Sequence, residues 1–259
     1  MNDKHGDFIW YELLTGDAEG AKSFYGPLLG WEFARADMPD MEYHLITKDG
    51  VEVGGIMPLT AEMTAGGAQP MWAGYVAVDD VDKAAEQATA KGASVLMAPS
   101  DIPDVGRFAM IMDPQGVPIY LMTSEGAVSE SFAKHEPREG HCAWNELVTA
   151  DPAAAKAFYT DLFGWEKVDE MDMGEMGLYE MFSVNGYTLG AIMKKPDMMP
   201  FSAWVYYLRV PEIDAAAEYV TAHGGQVMTG PMEIPGGEFI INGMDPQGAF
   251  FALIGKKGS

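Results

Sequence analysis

The chain has 259 residues, with 39 acidic side chains against 16 basic ones and a formal net charge of −23. This charge repels a phosphate backbone and so disfavours nucleic-acid binding, while a hydrophobic content of 48% is enough to bury cores and argues against disorder. The single cysteine, Cys142, excludes an intrachain disulfide and a cysteine-cluster metal site.

Neither a membrane span nor an export signal is predicted. The sequence has no run of about 18 apolar residues, and the polar residues 1–7 lack the apolar stretch of a signal peptide. We therefore expect a cytoplasmic protein that contacts neither membrane nor nucleic acid. We expect a monomer or a homodimer.

An internal repeat organises the whole chain. The segment WYELLTGD at residues 10–17 recurs as WNELVTAD at 144–151, and AKSFY at 21–25 recurs as AKAFY at 155–159. Such self-similarity predicts a duplicated domain. We place the two repeats at residues 1–126 and 141–259 and the linker at 127–140.

Each half is in turn a weaker doublet of strand, helix and three strands. Helices are predicted at residues 17–30, 80–92, 151–164 and 212–224, each between an acidic N-cap and a closing glycine. Asp-Gly at 49–50 and Asn-Gly at 185–186 predict hairpins, and DPQG, at 113–116 and again at 245–248, predicts a type I turn. The twin glycines Gly54 and Gly55 either let the sheet bend closely around a ligand or mark a bulge. The sequence thus predicts four βαβββ units in an α+β fold.

These motifs together resemble the vicinal oxygen chelate superfamily, which includes glyoxalases, bleomycin-resistance proteins and extradiol dioxygenases. The resemblance rests on the aspartate-capped helix with Phe-Tyr, the following LGW or FGW, the DPQG turn and their order. It covers nearly the whole chain and is greatest with tandem glyoxalase-like proteins that have a Trp-x-Glu-Leu first strand. It implies two domains, each with two units whose strands form a curved, cup-shaped mixed sheet with the helices outside.

The resemblance also implies a divalent metal inside each cup, held by side chains on the first and last strands of the units. Carried over by position, the ligand places fall at Trp10, near Ala73 and at Tyr120 in the first half, and at Trp144, near Val205 and at Ala252 in the second. Of these side chains only a tyrosinate could bind such a metal, and poorly. We therefore predict no metal and no cofactor. Of the five histidines, only His141 lies near a strand start.

The same inward faces predict a binding site for a small molecule. Because strand side chains alternate, Glu12 shares a face with Trp10, and Glu146 shares one with Trp144. An apolar pocket with a few polar groups is the usual form of a small-molecule site. The predicted ligand-binding side chains are Trp10, Tyr75, Tyr120, Trp144, Tyr207 and Arg209, around an aromatic or amphipathic organic molecule.

Three functions remain open from the sequence. Glu12 or Glu146 could be the acid–base group of a glyoxalase-like lyase or hydroxylase, because burial among rings favours the protonated acid. Alternatively these acids are structural, and Arg209 could pair with Glu146. The three functions are metal-independent binding of a small molecule, catalysis by such a lyase or hydroxylase, and a role as an interaction protein. Trp10 and Trp144 are either filler or stacking platforms for an aromatic ligand.

Overall fold

The computed structural model describes residues 3–38, 41–197 and 199–258. Its elements confirm the fourfold pattern of strand, helix and three strands. Module 1 contains β1 (Phe8–Thr15), α1 (Ala18–Leu29), β2 (Glu32–Arg35), β3 (His44–Lys48) and β4 (Val51–Pro58), and a short helix α2 (Ala61–Ala65) follows it. Module 2 contains β5 (Met71–Ala77), α3 (Val81–Ala90), β6 (Ser94–Ile102), β7 (Gly106–Met112) and β8 (Pro118–Ser124).

The second half repeats this order. Module 3 contains β9 (Cys142–Thr149), α4 (Pro152–Phe163), β10 (Glu166–Asp172), a 3₁₀ turn (Gly174–Met176), β11 (Leu178–Val184) and β12 (Tyr187–Lys194). Module 4 contains β13 (Ala203–Glu212), α5 (Ile213–Ala222), β14 (Gln226–Glu233), β15 (Phe239–Met244) and β16 (Phe250–Lys256). Within the described ranges, no helix is long and apolar enough to cross a membrane.

Among the described residues, sixteen strands form two mixed sheets of eight strands each. Their orders are β2-β3-β4-β1-β5-β8-β7-β6 and β10-β11-β12-β9-β13-β16-β15-β14. In every module the first strand runs parallel to the last, and the last three strands are antiparallel to one another. The α+β fold of two tandem glyoxalase-like domains is therefore confirmed.

The chain also divides into two compact units that do not follow the order of the halves. Unit 1 comprises Met1–Ile9, Ala73–Ser129 and Asn145–Trp204, and unit 2 comprises Trp10–Trp72, Glu130–Trp144 and Val205–Ser259. Unit 1 thus combines modules 2 and 3, and unit 2 combines modules 1 and 4. The boundaries predicted for the two repeats and their linker stay a prediction.

Local signals in the sequence explain the helix and hairpin ends. The side chains of Asp17 and Asp151 each accept a hydrogen bond from a backbone N–H of the first turn, at 2.9 and 3.0 Å. Gly30 and Gly164 close the same helices in the left-handed conformation, with φ of 66° and 68°. At the predicted hairpin turn, Asn185 also has a positive φ, 51°, followed by a glycine at 90°, as a type I′ turn requires.

A buried tyrosine–aspartate hydrogen bond holds each compact unit together. In unit 2, Tyr25 Oη of the Phe-Tyr motif donates to Asp245 Oδ2 at 3.0 Å, and Trp72 Nε1 donates to Tyr25 Oη at 3.1 Å. In unit 1, Tyr159 Oη donates to Asp113 Oδ2 at 2.9 Å. Burial raises the pKa of Tyr25 well above its usual value, so the phenol keeps its proton and remains a donor. The Phe-Tyr and DPQG motifs therefore recur because a helix of one module binds a turn of another.

Candidate functional site

Module 1 carries a cluster of Trp10, Glu12 and Tyr43 on one face of its strands. Trp10 Nε1 donates to Tyr43 Oη at 2.8 Å. Glu12 is 2% exposed, whereas Trp10 is the one residue of β1 that stays partly exposed. A ligand approaching this face would therefore meet the indole ring before it met the carboxyl group.

Glycine at position 55 makes room for the Tyr43 ring. A Cβ atom at Gly55 would lie 2.0 Å from Tyr43 Oη, which no side chain tolerates. Gly55 is the register partner of Glu12 in the parallel β1–β4 pair, and neighbouring strands of a sheet lie about 5 Å apart. The Tyr43 hydroxyl thus lies in the side-chain layer of Glu12. The register of β3 and β4 shifts between Ile46 and Thr47, next to Gly54, as expected for a bulge. Close approach of a ligand at the twin glycines stays a prediction.

Module 3 repeats this arrangement with a direct hydrogen bond. Tyr179 Oη donates to Glu146 Oε2 at 2.8 Å, and Glu146 is 9% exposed. Ala191 is the register partner of Glu146, as Gly55 is of Glu12. Trp144 lies two residues before Glu146 on β9 and is likewise partly exposed. The structure therefore gives Glu146 a tyrosine donor, while Arg209 forms its ion pair with Glu238.

The two tyrosines of these clusters were missed from the sequence. Tyr43 and Tyr179 are 136 positions apart, the same offset that relates Gly55 to Ala191. That shared offset was the available signal. The offset alone does not indicate a site, because only the strand register shows which positions lie beside Glu12 and Glu146.

Module 2 fills its inward face with aromatic rings. Tyr75 and Tyr120 are register partners in the β5–β8 pair, and their rings stack with centroids 4.1 Å apart and planes 8° apart. Met110 is the next residue along this row, opposite Tyr120 on β7. Tyr120 is 1% exposed and Ala73 is fully buried. Tyr75 and Tyr120, both predicted as ligand contacts, are thus brought together against each other.

The equivalent row of module 4 has a different composition. Tyr207 is the register partner of Ala252, and Ala252 is the partner of Asn242 on β15. Arg209 lies two residues beyond Tyr207 on β13, so the two share a face. Arg209 binds Glu238 through both carboxylate oxygens, with Nη2 and Oε2 3.0 Å apart. Asn242 and Glu238 were not predicted, and the row is polar where that of module 2 is aromatic.

The side chains at the places that the resemblance assigns to metal ligands are a poor match for a divalent metal. Ala73, Val205 and Ala252 have hydrocarbon side chains, and the Trp10 indole offers only an N–H, which Tyr43 accepts. Within the part of the chain that the structure describes, no group of three or more His, Cys, Asp and Glu side chains is arranged to hold an ion. His141 is 2% exposed and its Nδ1–H donates to the Glu130 carbonyl at 2.9 Å, and burial lowers the pKa of the imidazole.

Two open depressions of the surface lie elsewhere. One is lined by residues of α5 and by Val227 of β14, and the other by residues of α3 and by Val95 and Pro99 of β6. Neither contains any of the side chains described above. The candidate groups of the four modules are instead mostly buried against their own neighbours.

Two eight-stranded sheets built from four βαβββ modules define a class of proteins, and the sequence agrees with it. The chain belongs to the Glyoxalase/Bleomycin resistance protein/Dioxygenase superfamily, whose model matches residues 8–121 and 139–253. The matched ranges include every candidate residue named above.

Relatives with names match the chain over nearly their whole length. The chain is 32% identical over 254 residues to a Mycobacterium tuberculosis protein named "Putative glyoxylase CFP32", covering 97% of this chain and 95% of that one. It is 26% identical to the anthracycline biosynthesis protein DauV of Streptomyces sp., covering 95% and 91%.

Solved structures share the fold at low identity. The Mn(II)-bound glyoxalase from Novosphingobium aromaticivorans matches with a TM-score of 0.66 at 15% identity, covering 98% of this chain and 83% of that one. The 2,3-dioxygenase LapB from Pseudomonas sp. KL28 matches with a TM-score of 0.65 at 13% identity, covering 98% and 94%.

Proposed function

We propose that the protein binds a small aromatic or amphipathic organic molecule on the inward faces of its modules, without the metal that the fold usually holds there. The observation that carries the proposal is the exposure pattern of the first strands. Trp10 is the partly exposed residue of an otherwise buried strand, and a buried acid lies two residues behind it. A ring surface backed by a few hydrogen-bonding groups suits a planar ligand.

The relatives support the same class of ligand. One of them is named for anthracycline biosynthesis, and anthracyclines are planar, polycyclic aromatic compounds with polar substituents. The side chains at the metal-ligand places support binding without an ion, because alanine, valine and tryptophan offer no suitable donor atom. On this basis the protein sequesters or carries its ligand.

Binding can be tested with doxorubicin, a fluorescent anthracycline, titrated with the full-length protein. We expect saturable binding that Trp10→Leu or Trp144→Leu weakens about threefold to tenfold, the effect of losing one ring contact. Phe201→Leu is the matched control, because Phe201 is an aromatic residue 58% exposed on the surface. Equal affinity in all four proteins would contradict a stacking role for the two tryptophans.

The metal part of the proposal has its own measurement. Elemental analysis of the purified protein and titrations with added Zn²⁺, Ni²⁺, Fe²⁺ or Mn²⁺ should show no stoichiometric ion and no gain in ligand affinity. A tightly held ion at one equivalent, or binding that depends on one, would overturn the assignment of the ligand places.

One observation favours the enzymatic alternative. Glu146 is buried and accepts a hydrogen bond from Tyr179, which is the arrangement of a positioned acid–base group. In that case Glu146, or Glu12 in the first half, would move a proton in a lyase or hydroxylase reaction. Long incubation of a bound compound with stoichiometric protein should then change its absorbance, and Glu146→Gln should abolish the change while leaving binding intact. An identical change with Glu146→Gln would remove that carboxyl group from the mechanism.

A further inference from the structure

Within the described residues, three side-chain atoms of module 4 are buried without a hydrogen-bond partner: Arg209 Nε, Asn242 Oδ1 and Gln247 Oε1. Because a buried polar atom without a partner is costly, native proteins seldom leave one without a reason. Gln247 lies in the turn at 245–248, whereas Arg209 and Asn242 lie on strands of one sheet. Both residues belong to unit 2, and both lie on β strands whose backbone positions are fixed by the sheet.

The register shows that these atoms belong to one face of the sheet. Asn242, Ala252 and Tyr207 form a row across β15, β16 and β13, and Ile240, Ile254 and Arg209 form the next row. Rows two residues apart point to the same side. The face therefore has a tyrosine ring, a methyl group and two isoleucines as its apolar part, with an acceptor from Asn242 and a donor from Arg209.

Glu238 determines which charge this face accepts. Both of its oxygens bind the guanidinium group of Arg209, and the hydrogen bond from Arg209 lowers the pKa of Glu238. The acid is therefore ionised at neutral pH and cancels the charge of the arginine. The Arg209 side chain is 11% exposed, so a carboxylate that bound here would lose its hydration. It would gain no ion pair in return, because Glu238 already neutralises Arg209. The face consequently favours a neutral ligand.

We propose that Asn242 and Arg209 form the polar subsite of module 4 for a neutral, hydroxyl-bearing aromatic molecule. The inference rests on the binding function proposed above. It adds the chemistry of the ligand and places the binding site in the second half of the chain. A hydroxyl group is the simplest partner because it donates to Asn242 Oδ1 and accepts from Arg209 Nε–H. Ala252 contributes only a methyl group beside Tyr207, where module 2 has the stacked ring of Tyr120.

A matched series of ligands tests the chemistry by equilibrium dialysis against the full-length protein. We expect 2-naphthol to bind, 2-methoxynaphthalene to bind about tenfold more weakly because it cannot donate to Asn242, and 2-naphthoate to bind weaker still because it is charged. Binding of 2-naphthoate as tight as that of 2-naphthol would overturn the proposal.

Variants locate the subsite. Asn242→Met copies Met110 of module 2, and Arg209→Lys keeps a cation for Glu238 but removes the Nε–H donor. Each should weaken 2-naphthol binding about tenfold. Asn242→Met should also reduce the difference between 2-naphthol and its methyl ether, whereas Arg209→Lys should weaken both ligands alike because both oxygens accept from Arg209. Met110→Leu in module 2 should change neither the affinity nor the difference. Thermal unfolding checks that every variant is folded.

The failure of this inference is distinguishable from the failure of the proposed function. If all three ligands bind and neither variant changes their affinities, the subsite is overturned and the binding function stands. If none of the three ligands and no doxorubicin binds, both are overturned. If the control Met110→Leu weakens 2-naphthol binding as much as Asn242→Met does, the site lies outside module 4 and the inference is wrong.

Discussion

Modules 2 and 4 have the same place in the two halves of the chain and the same strand register, yet they use it differently. In module 2 the row Tyr75, Tyr120 and Met110 is closed by two stacked rings. In module 4 the row has a tyrosine at the first position, followed by Ala252 and Asn242. The backbone of the fold therefore does not decide whether a face is filled or polar. Two substitutions in this row, together with arginine in place of Ala77 in the next row, separate a packed module from one with hydrogen-bonding capacity.

The largest expected effect comes from removing the ring that fills module 2. Tyr120→Ala deletes a fully buried ring and its stack on Tyr75, and we expect the free energy of unfolding to fall by about 3–5 kcal/mol. Urea denaturation measures the change. The reverse substitution, Ala252→Tyr, should cost only about 1–3 kcal/mol of overpacking and should weaken binding of 2-naphthol. Loss of ligand binding in Tyr120→Ala, with the protein still folded, would contradict a purely structural role for module 2.

Exchange of the polar residue sharpens the comparison. Met110→Asn places an amide in the aromatic row and should lower the free energy of unfolding by about 1–3 kcal/mol. Asn242→Met removes a buried oxygen that has no partner in the described residues, and we expect it to raise stability by about 1 kcal/mol while weakening binding. Chemical denaturation of both variants shows whether each substitution raises or lowers the free energy of unfolding. Destabilisation by Asn242→Met would show that the oxygen is bonded in the unliganded protein.

Modules 1 and 3 allow a parallel comparison at the glycine that faces the buried acid. Gly55→Ala forces the Tyr43 hydroxyl, 2.0 Å from the new Cβ, to move, and should cost about 1–3 kcal/mol. Ala191→Gly in module 3 removes no such contact and should cost about 0.5–1 kcal/mol through chain entropy. Melting temperatures of the two variants compare them directly. An unchanged melting temperature in Gly55→Ala would mean that the position of the Tyr43 ring does not depend on a glycine at residue 55.

The smallest effect is the pH dependence of the Arg209–Glu238 pair, which module 2 lacks because Ala77 stands where module 4 has arginine. Arg209 lowers the pKa of Glu238 in the folded state. The pair therefore stabilises the folded protein at pH values above the unfolded pKa of glutamate, about 4.3, and this stabilisation is lost as the pH falls through the folded pKa. The contribution is about 1 kcal/mol or less, since Glu238 is partly exposed. Stability of wild type and Glu238→Gln, measured between pH 7 and pH 3, should converge on acidification. A constant difference would assign the effect to packing.

Much of the fold was predictable because its signals are local. Asp17 and Asp151 cap helices through their own first turns, and Asn185 with the following glycine determines a hairpin within four residues. Strand alternation likewise predicted that Tyr75 and Tyr120 share a face. These inferences need only the neighbouring residues in the chain.

The remaining features depend on contacts between distant segments. Tyr25 and Asp245 are 220 positions apart, and nothing near either residue indicates which module packs against which. Asn242 faces the site only because of the register of β15 against β16, and Glu238 reaches Arg209 from a loop. The sequence placed Arg209 on the correct face but suggested Glu146 as its partner, since side-chain alternation gives a direction and no distance.

The bond between Tyr25 and Asp245 has a consequence for any attempt to split the molecule. A protease cut in the segment 127–140 would separate the halves in sequence but leave each compact unit with segments from both fragments, so the fragments should stay associated. Produced alone, either half would lack the tyrosine–aspartate hydrogen bonds, because the partner of its helix tyrosine and the partner of its turn aspartate both lie in the other half. Two copies of one half could then pair, with the tyrosine of each copy donating to the aspartate of the other. The natural protein forms the same hydrogen bonds within a single chain.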